Sequence, residues 1–245
     1  MDQEVPKKYS FEEGEFFLIN KPLDWTSFDV VNYLRKYLKR KFNLKKLKVG
    51  HAGTLDPKAS GLLILCTGPF TKKIDEYQAM EKEYEGIMRL GATTPSFDTE
   101  TSVDREFDTS NIRDNLIRET ANQFIGYISQ IPPIYSAVKI EGKKAYEYAR
   151  NQENIRIKPR MIRIFEFDIL EIKKKPHFDV KFRVVCSKGT YIRALVRDFG
   201  NQLKCGAYLS NLCRTRIGSY KLSEAWDLTE LTSRISEKYG IQSQV

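Results

Sequence analysis

Residues 50–67, GHAGTLDPKASGLLILCT, restrict the fold more than any other stretch of this 245-residue chain. Three glycines, an Asp-Pro step and flanking hydroxyls crowd into positions 50–61, and an apolar run over 61–67 follows directly. A run that short is too brief for a helix and reads as a buried strand. The segment before it must then be a tight loop that delivers the chain into the core. Such a loop presents one carboxylate, Asp56, on a rigid turn at the edge of a core strand. Asp-Pro is a common turn opener and glycine supplies backbone freedom, so turn chemistry alone leaves Asp56 readable as a plain turn residue as well.

Elsewhere helical and strand periods alternate. Residues 15–20 (EFFLIN) form a short apolar strand closed by Lys21-Pro22. Thr26 and Asp29 match a capping box, and behind them Val30, Val31, Leu34, Tyr37 and Leu38 recur at helical spacing. Residues 82–90, 163–173 and 178–187 read as strands; in the last, Phe178, Val180, Phe182, Val184 and Cys186 share one face. Ile112, Leu116, Ala121, Phe124 and Ile125 mark one amphipathic helix, and Ile192, Leu195, Val196 and Phe199 another. Strands joined by such irregular connections favour an α+β fold with a largely antiparallel central sheet flanked by helices and loops. No repeat, low-complexity tract or Pro/Gly/Ser linker interrupts the chain, so residues 1–245 read as one continuous domain.

Composition narrows the chemistry. No apolar run approaches the roughly 20 residues that span a bilayer, and the first residues lack the apolar stretch of a signal peptide. Cys66, Cys186, Cys205 and Cys213 contain no CxxC pair, which argues against a zinc ribbon or a dithiol site and fits a reducing cytoplasm. The histidines are His51 and His177, and neither a GxGxxG nor a P-loop string occurs. The expectation is a cytoplasmic protein that uses carboxylates, tyrosines, arginines and lysines, with no metal and no cofactor. The formal charge is +9, and eight of the fourteen residues 35–48 are basic with none acidic. A second basic cluster holds Arg156, Lys158, Arg160 and Arg163. Each cluster reads either as a solvated face or as a phosphate-contacting patch.

The whole string GHAGTLDPKASGLLILCTG resembles the catalytic-loop motif of the tRNA pseudouridine synthase B family. Other stretches agree in the family's order: Asn20-Lys21-Pro22-Leu23-Asp24-Trp25-Thr26-Ser27, Lys82-Glu83-Tyr84 with Leu90-Gly91, QIPPIYSAVK over 130–139, and CSKGTYIR over 186–193. The resemblance covers roughly residues 15 to 235. It implies a pseudouridine synthase fold and isomerisation of uridine to pseudouridine in the T-loop of tRNA (position 55 of tRNA), with the base flipped out.

On that resemblance Asp56 falls at the family's essential aspartate. It would act either as a nucleophile at the ribose C1′, forming a glycosyl ester, or as a base at the 2′ carbon, forming a glycal. Arg193 matches the arginine that pairs with this aspartate. Tyr84 matches the tyrosine that stacks on the target base and is a candidate for removing the C5 proton. His51, Tyr191, Asp98, Lys21 and Lys139 match substrate-binding or pocket positions, and residues 132–152 resemble a thumb insertion that closes over the T-loop. The implied partner is the tRNA T-arm, the implied state a monomer. Two departures accompany the match. Asp24 stands where the family start has glycine, and Asp tolerates positive φ better than most residues. The chain also ends without the C-terminal PUA domain that many relatives carry. Two rivals remain: a related synthase acting on another RNA, and a catalytically silent RNA-binding or tRNA-folding protein.

Overall fold

The computed structural model describes residues 10–136, 139, 140, 142–145, 148, 155 and 157–238. In chain order its first elements are β1 (Phe16–Lys21), α1 (Ser27–Lys41), β2 (Val49–Ala52), β3 (Ala59–Thr67), a 3-10 turn (Gly68–Lys73) and α2 (Ile74–Ala79). Next come β4 (Lys82–Leu90), β5 (Ala92–Thr93), β6 (Arg105–Glu106), α3 (Asp114–Gln123), β7 (Gly126–Gln130), β8 (Lys139–Ile140) and β9 (Lys143–Lys144). The chain continues through β10 (Arg160–Lys173), β11 (Phe178–Cys186), α4 (Ile192–Gln202), β12 (Ala207–Ile217), β13 (Tyr220–Lys221) and α5 (Leu228–Lys238). The class is α+β. Contacts divide the chain into two compact units, residues 1–80 with 215–245 and residues 81–214.

In the first unit β3 is the organising strand. It runs antiparallel to β1, from Phe16↔Cys66 to Lys21↔Gly61, and to β2, from Val49↔Thr67 to Ala52↔Ile64. Its apolar run is continuous because both faces are covered. Leu63 and Leu65 pack with Val30, Val31, Leu34 and Leu38 of α1 and with Leu231 and Ile235 of α5. Leu62, Ile64 and Cys66 join Tyr77 and Ile217 on the other side. The α1 start is the expected capping box: Asp29 N–H donates to Thr26 Oγ1 at 3.0 Å, and Thr26 N–H to Asp29 Oδ2 at 2.9 Å. The Thr26 hydroxyl, which donates to Asp29 Oδ2 at 2.6 Å, and then the Thr26 N–H hold the Asp29 carboxyl below its ordinary pKa.

In the second unit β4, β11, β10 and β7 lie side by side, with β12 next to β4, and the β4–β11, β10–β11 and β7–β10 ladders are antiparallel. On β11 Val180, Phe182, Val184 and Cys186 are buried as the alternation requires. The long strand β10 changes its inward parity from Ile162 and Ile164 to Phe167 and Ile169, and a register shift between Ile164 and Glu166 accounts for it. A bulge thus keeps an irregular apolar pattern on one face. The amphipathic helix predicted over 112–125 is shorter. Ile112 precedes α3, and its buried stripe is Ile117, Thr120 and Ala121, whereas Leu116 and Ile125 are exposed. Ile117 and Ala121 are one turn apart, and Leu116 lies about 100° round the helix from Ile117, on the solvent side of Thr120. On α4, Ile192, Leu195, Val196 and Phe199 are all buried, and Phe199 contacts the rings of Phe124 and Phe167.

Candidate active site

The loop between β2 and β3 carries Asp56. Gly53, at φ +84°, turns the chain out of β2, and Ala59 N–H donates to the Asp56 carbonyl at 3.1 Å as β3 begins. Leu55 is buried and acts as the loop's anchor. The buried Ser27 hydroxyl grips it twice: Leu55 N–H donates to Ser27 Oγ at 2.8 Å, and Ser27 Oγ donates to Leu55 O at 3.1 Å. Asp56, the next residue, is half-buried. A second tie runs through Asp24, which adopts φ +64°. Its N–H donates to Pro57 O at 2.9 Å and its carboxylate pairs with Lys58 at 2.7 Å. The residue in the glycine position therefore keeps the left-handed turn and adds an ionic contact to the Asp56 loop.

Lys21 and His51 belong to the same unit. Lys21 is fully buried, and its Nζ donates to the carbonyls of Pro22 at 2.8 Å and Trp25 at 2.6 Å. An ammonium taken out of water needs such acceptors. These bonds close the 22–25 turn. His51 sits on β2 opposite Leu65, half-buried.

The second unit gathers Arg193 and Asp98. Arg193, in the first turn of α4, is 5% exposed; Nη1 donates to Ser96 O at 3.1 Å and Nη2 to Tyr135 O at 2.9 Å. Its Nε lies 3.6 Å from Asp98 Oδ2. Asp98, 3% exposed, accepts from Ser96 Oγ at 2.6 Å and Glu100 N–H at 2.9 Å on its other oxygen. The turn that carries it holds Phe97 at φ +62°, a conformation non-glycine residues rarely take. Leu209 N–H fixes that turn by donating to Phe97 O at 2.9 Å. Sequence reasoning placed Asp98 in a substrate pocket and did not identify it as a carboxylate partner of Arg193.

Tyr84 is 8% exposed on β4, opposite Val184 of β11. Tyr191 caps α4 and is half-buried. The buried amide of Gln130 holds its backbone in both directions: Tyr191 N–H donates to Oε1 at 2.8 Å, and Nε2 donates to Tyr191 O at 3.1 Å. Ser27 and Gln130 are the positioning residues that sequence reasoning missed. Both lie inside the quoted motifs, but a side chain that bonds a distant backbone leaves no residue-type signal. Lys139 lies on β8, and the thumb-like stretch 132–152 is only partly within the described residues. Arg150 and Arg156 lie outside them. Among the described residues no group of three His, Cys, Asp or Glu is placed to hold a metal ion, and no helix is long and apolar enough to cross a membrane.

Comparison with known proteins adds a family. Residues 39–192 match the model of the TruB family pseudouridylate synthase N-terminal domain. The chain is 49% identical over 219 residues to the tRNA pseudouridine synthase B of Bacteroides thetaiotaomicron, covering 89% of this chain and 91% of that protein. It is 52% identical over 226 residues to the tRNA pseudouridine synthase B of Flavobacterium johnsoniae, covering 92% and 96%. Among solved structures, a chain of a Cbf5–Nop10–Gar1 complex is similar with a TM-score of 0.68 at 30% identity, over 92% of this chain and 55% of that one. A chain of an H/ACA RNP bound to a substrate RNA containing 2′-deoxyuridine gives 0.65 at 28% identity, over 95% and 57%.

Proposed function

The chain belongs to the TruB family of pseudouridylate synthases, and from that premise we propose that it converts uridine to pseudouridine in the T-loop of tRNA with Asp56 as the reacting carboxylate. A uridine stacked inside a folded loop has to be extruded, at a cost of a few kcal/mol offset by stacking and backbone contacts. Asp56 then either attacks the ribose C1′ or removes a proton from the 2′ carbon. In both schemes the N1–C1′ bond breaks, the uracil turns, and C5 bonds to C1′. C5 loses its proton and N1 gains one, so atoms and electrons balance without a co-reactant. An ionised carboxylate in a site that excludes competing water serves either scheme.

Tyr84 is assigned the stacking face and the C5 proton, and Arg193 supplies fixed positive charge for the anions of the reaction. His51, Asp98, Tyr191, Lys21 and Lys139 shape the pocket and hold the flipped nucleotide. The observation that carries the reading is the Asp56 loop itself. Leu55 is buried and doubly bonded to Ser27 while Asp56 beside it is half-buried, an arrangement that supports a carboxylate held still for chemistry.

The test is tritium release from an unmodified T-arm hairpin labelled at uridine C5. The wild type should release tritium, Asp56→Asn should lose at least ~10⁴-fold of the rate while still binding, and a hairpin lacking the target uridine should release none. Tight binding with no release from any tRNA transcript would overturn the reading in favour of a silent RNA-binding protein.

A further inference from the structure

In the first unit the last turns of α1 and the segment leading into β2 border an open, shallow basin of about 560 Å³, lined by Arg35, Lys36, Lys39, Lys45, Lys46, Leu47 and Lys48. Its walls are anchored. Phe42 N–H donates to Leu38 O and Leu44 N–H to Lys39 O, both at 3.0 Å, while Asn43 at φ +50° turns the chain back. Leu47 and Val49 enter the core and leave the alternating Lys46 and Lys48 exposed. Six of the seven lining residues are cationic, none is acidic, and none of the six forms an ion pair among the described residues. Like charges packed within a Debye length of about 8 Å repel, and a polyanion relieves that repulsion.

The lining also discriminates among polyanions. Five of the six cations are lysines, which act as point charges and carry no planar fork for base edges. No aromatic ring lines the basin, and single-stranded RNA is ordinarily held by stacking on such rings. The one apolar residue, Leu47, is buried, so the basin offers a membrane or an acidic protein nothing apolar to contact. We propose that this basin seats backbone phosphates of a double-helical stem of the RNA substrate, outside the modified loop, and adds affinity without reading sequence. The inference rests on the reading of the chain as an RNA-modifying enzyme.

The test neutralises Lys36, Lys39, Lys45 and Lys46 together to Gln and titrates two RNAs over a salt series: a T-arm hairpin and its loop as a stemless oligonucleotide. With up to four phosphate contacts removed, the slope of log K against log salt for the hairpin should flatten by as much as about 3–4. Affinity for the hairpin should weaken by roughly tenfold or more at ~0.1 M salt. The stemless oligonucleotide should bind as before, and tritium release at saturating hairpin should keep the wild-type kcat. An unchanged hairpin slope, or equal weakening on the stemless RNA, would overturn the proposal. Loss of binding to phosphatidylglycerol vesicles with hairpin binding intact would overturn it in favour of a membrane. The two readings fail separately. A wild type that releases no tritium refutes the enzymatic reading, whereas release with an unchanged slope refutes the basin alone.

Discussion

Replacing Ser27 by alanine tests how the reacting loop is held. Ser27 is 1% exposed, and its hydroxyl is both acceptor and donor to the backbone of the buried Leu55. Ser27→Ala leaves a buried N–H and a buried carbonyl each short of this partner, at about 1–3 kcal/mol per group. Partial relaxation brings the expected loss to roughly 2–4 kcal/mol, a large share of an ordinary stability of about 5–15 kcal/mol. In a thermal melt followed by circular dichroism the midpoint should fall by roughly 5–15 °C. Because Leu55 precedes Asp56, the freed loop should also misplace the carboxylate, and a displacement near 1 Å costs on the order of 10²-fold in rate. kcat for tritium release should therefore drop about 10- to 100-fold while hairpin affinity stays within about twofold. Thr26→Ala provides the control: it breaks the neighbouring capping box, costs about 1 kcal/mol, and leaves both Leu55 bonds in place. A Ser27→Ala protein no less stable than Thr26→Ala and turning over at the wild-type rate would refute the argument.

Three further perturbations follow from other contacts. Gln130→Ala removes both bonds to the Tyr191 backbone and should destabilise by about 2–3 kcal/mol in urea; a midpoint matching the wild type would place water in the role assigned to the amide. Asp98→Ala should cost roughly 3–5 kcal/mol, because it breaks a buried pair with Arg193, and Asp98→Asn should cost less, since its oxygen still accepts from Ser96 and Glu100; equal losses would show that the two accepted hydrogen bonds contribute nothing and that charge alone matters there. Burial and the nearby Arg214 push the Lys82 ammonium from 10.5 down to about 8, so the folded state sheds this proton before the unfolded state does. Between pH 8 and 10.5 the unfolded chain binds more protons, stability attributable to Lys82 rises with pH, and below that window its cost of about 3 kcal/mol is fully present. The stability of Lys82→Met relative to wild type should accordingly shrink across that window; a constant difference would contradict the depressed pKa.

What could be read from the chain alone was whatever depends on neighbours in sequence. The Thr26–Asp29 capping box, the α1 stripe, the alternation on β11 and the buried run of β3 all obey rules that act within a few residues. The left-handed turn at Asp24 came instead from the family resemblance, which puts glycine at that position, and Asp is among the few residue types that tolerate such a φ. The ordered motifs, Asp56 among them, carried the family because they are long and specific. Where two local rules competed, the reading slipped: Leu116 fits an apolar period but turns to the solvent side of α3, and Ile125 lies past the helix end at Gln123.

What the tertiary structure alone decided are the contacts that join distant positions. Ser27 meets Leu55 across 28 residues, Gln130 meets Tyr191 across 61, and Arg193 reaches Ser96 across 97. All three use a backbone group as partner, and every residue has such a group, so no pairing of residue types announces them. The charged segment 35–48 shows the same division. Its excess of cations is plain in the sequence, but their convergence on one anchored basin required Asn43 to reverse the chain and Leu47 to enter the core. Charge is a property of composition, whereas a binding surface needs those charges held at fixed separations, and only packing fixes them.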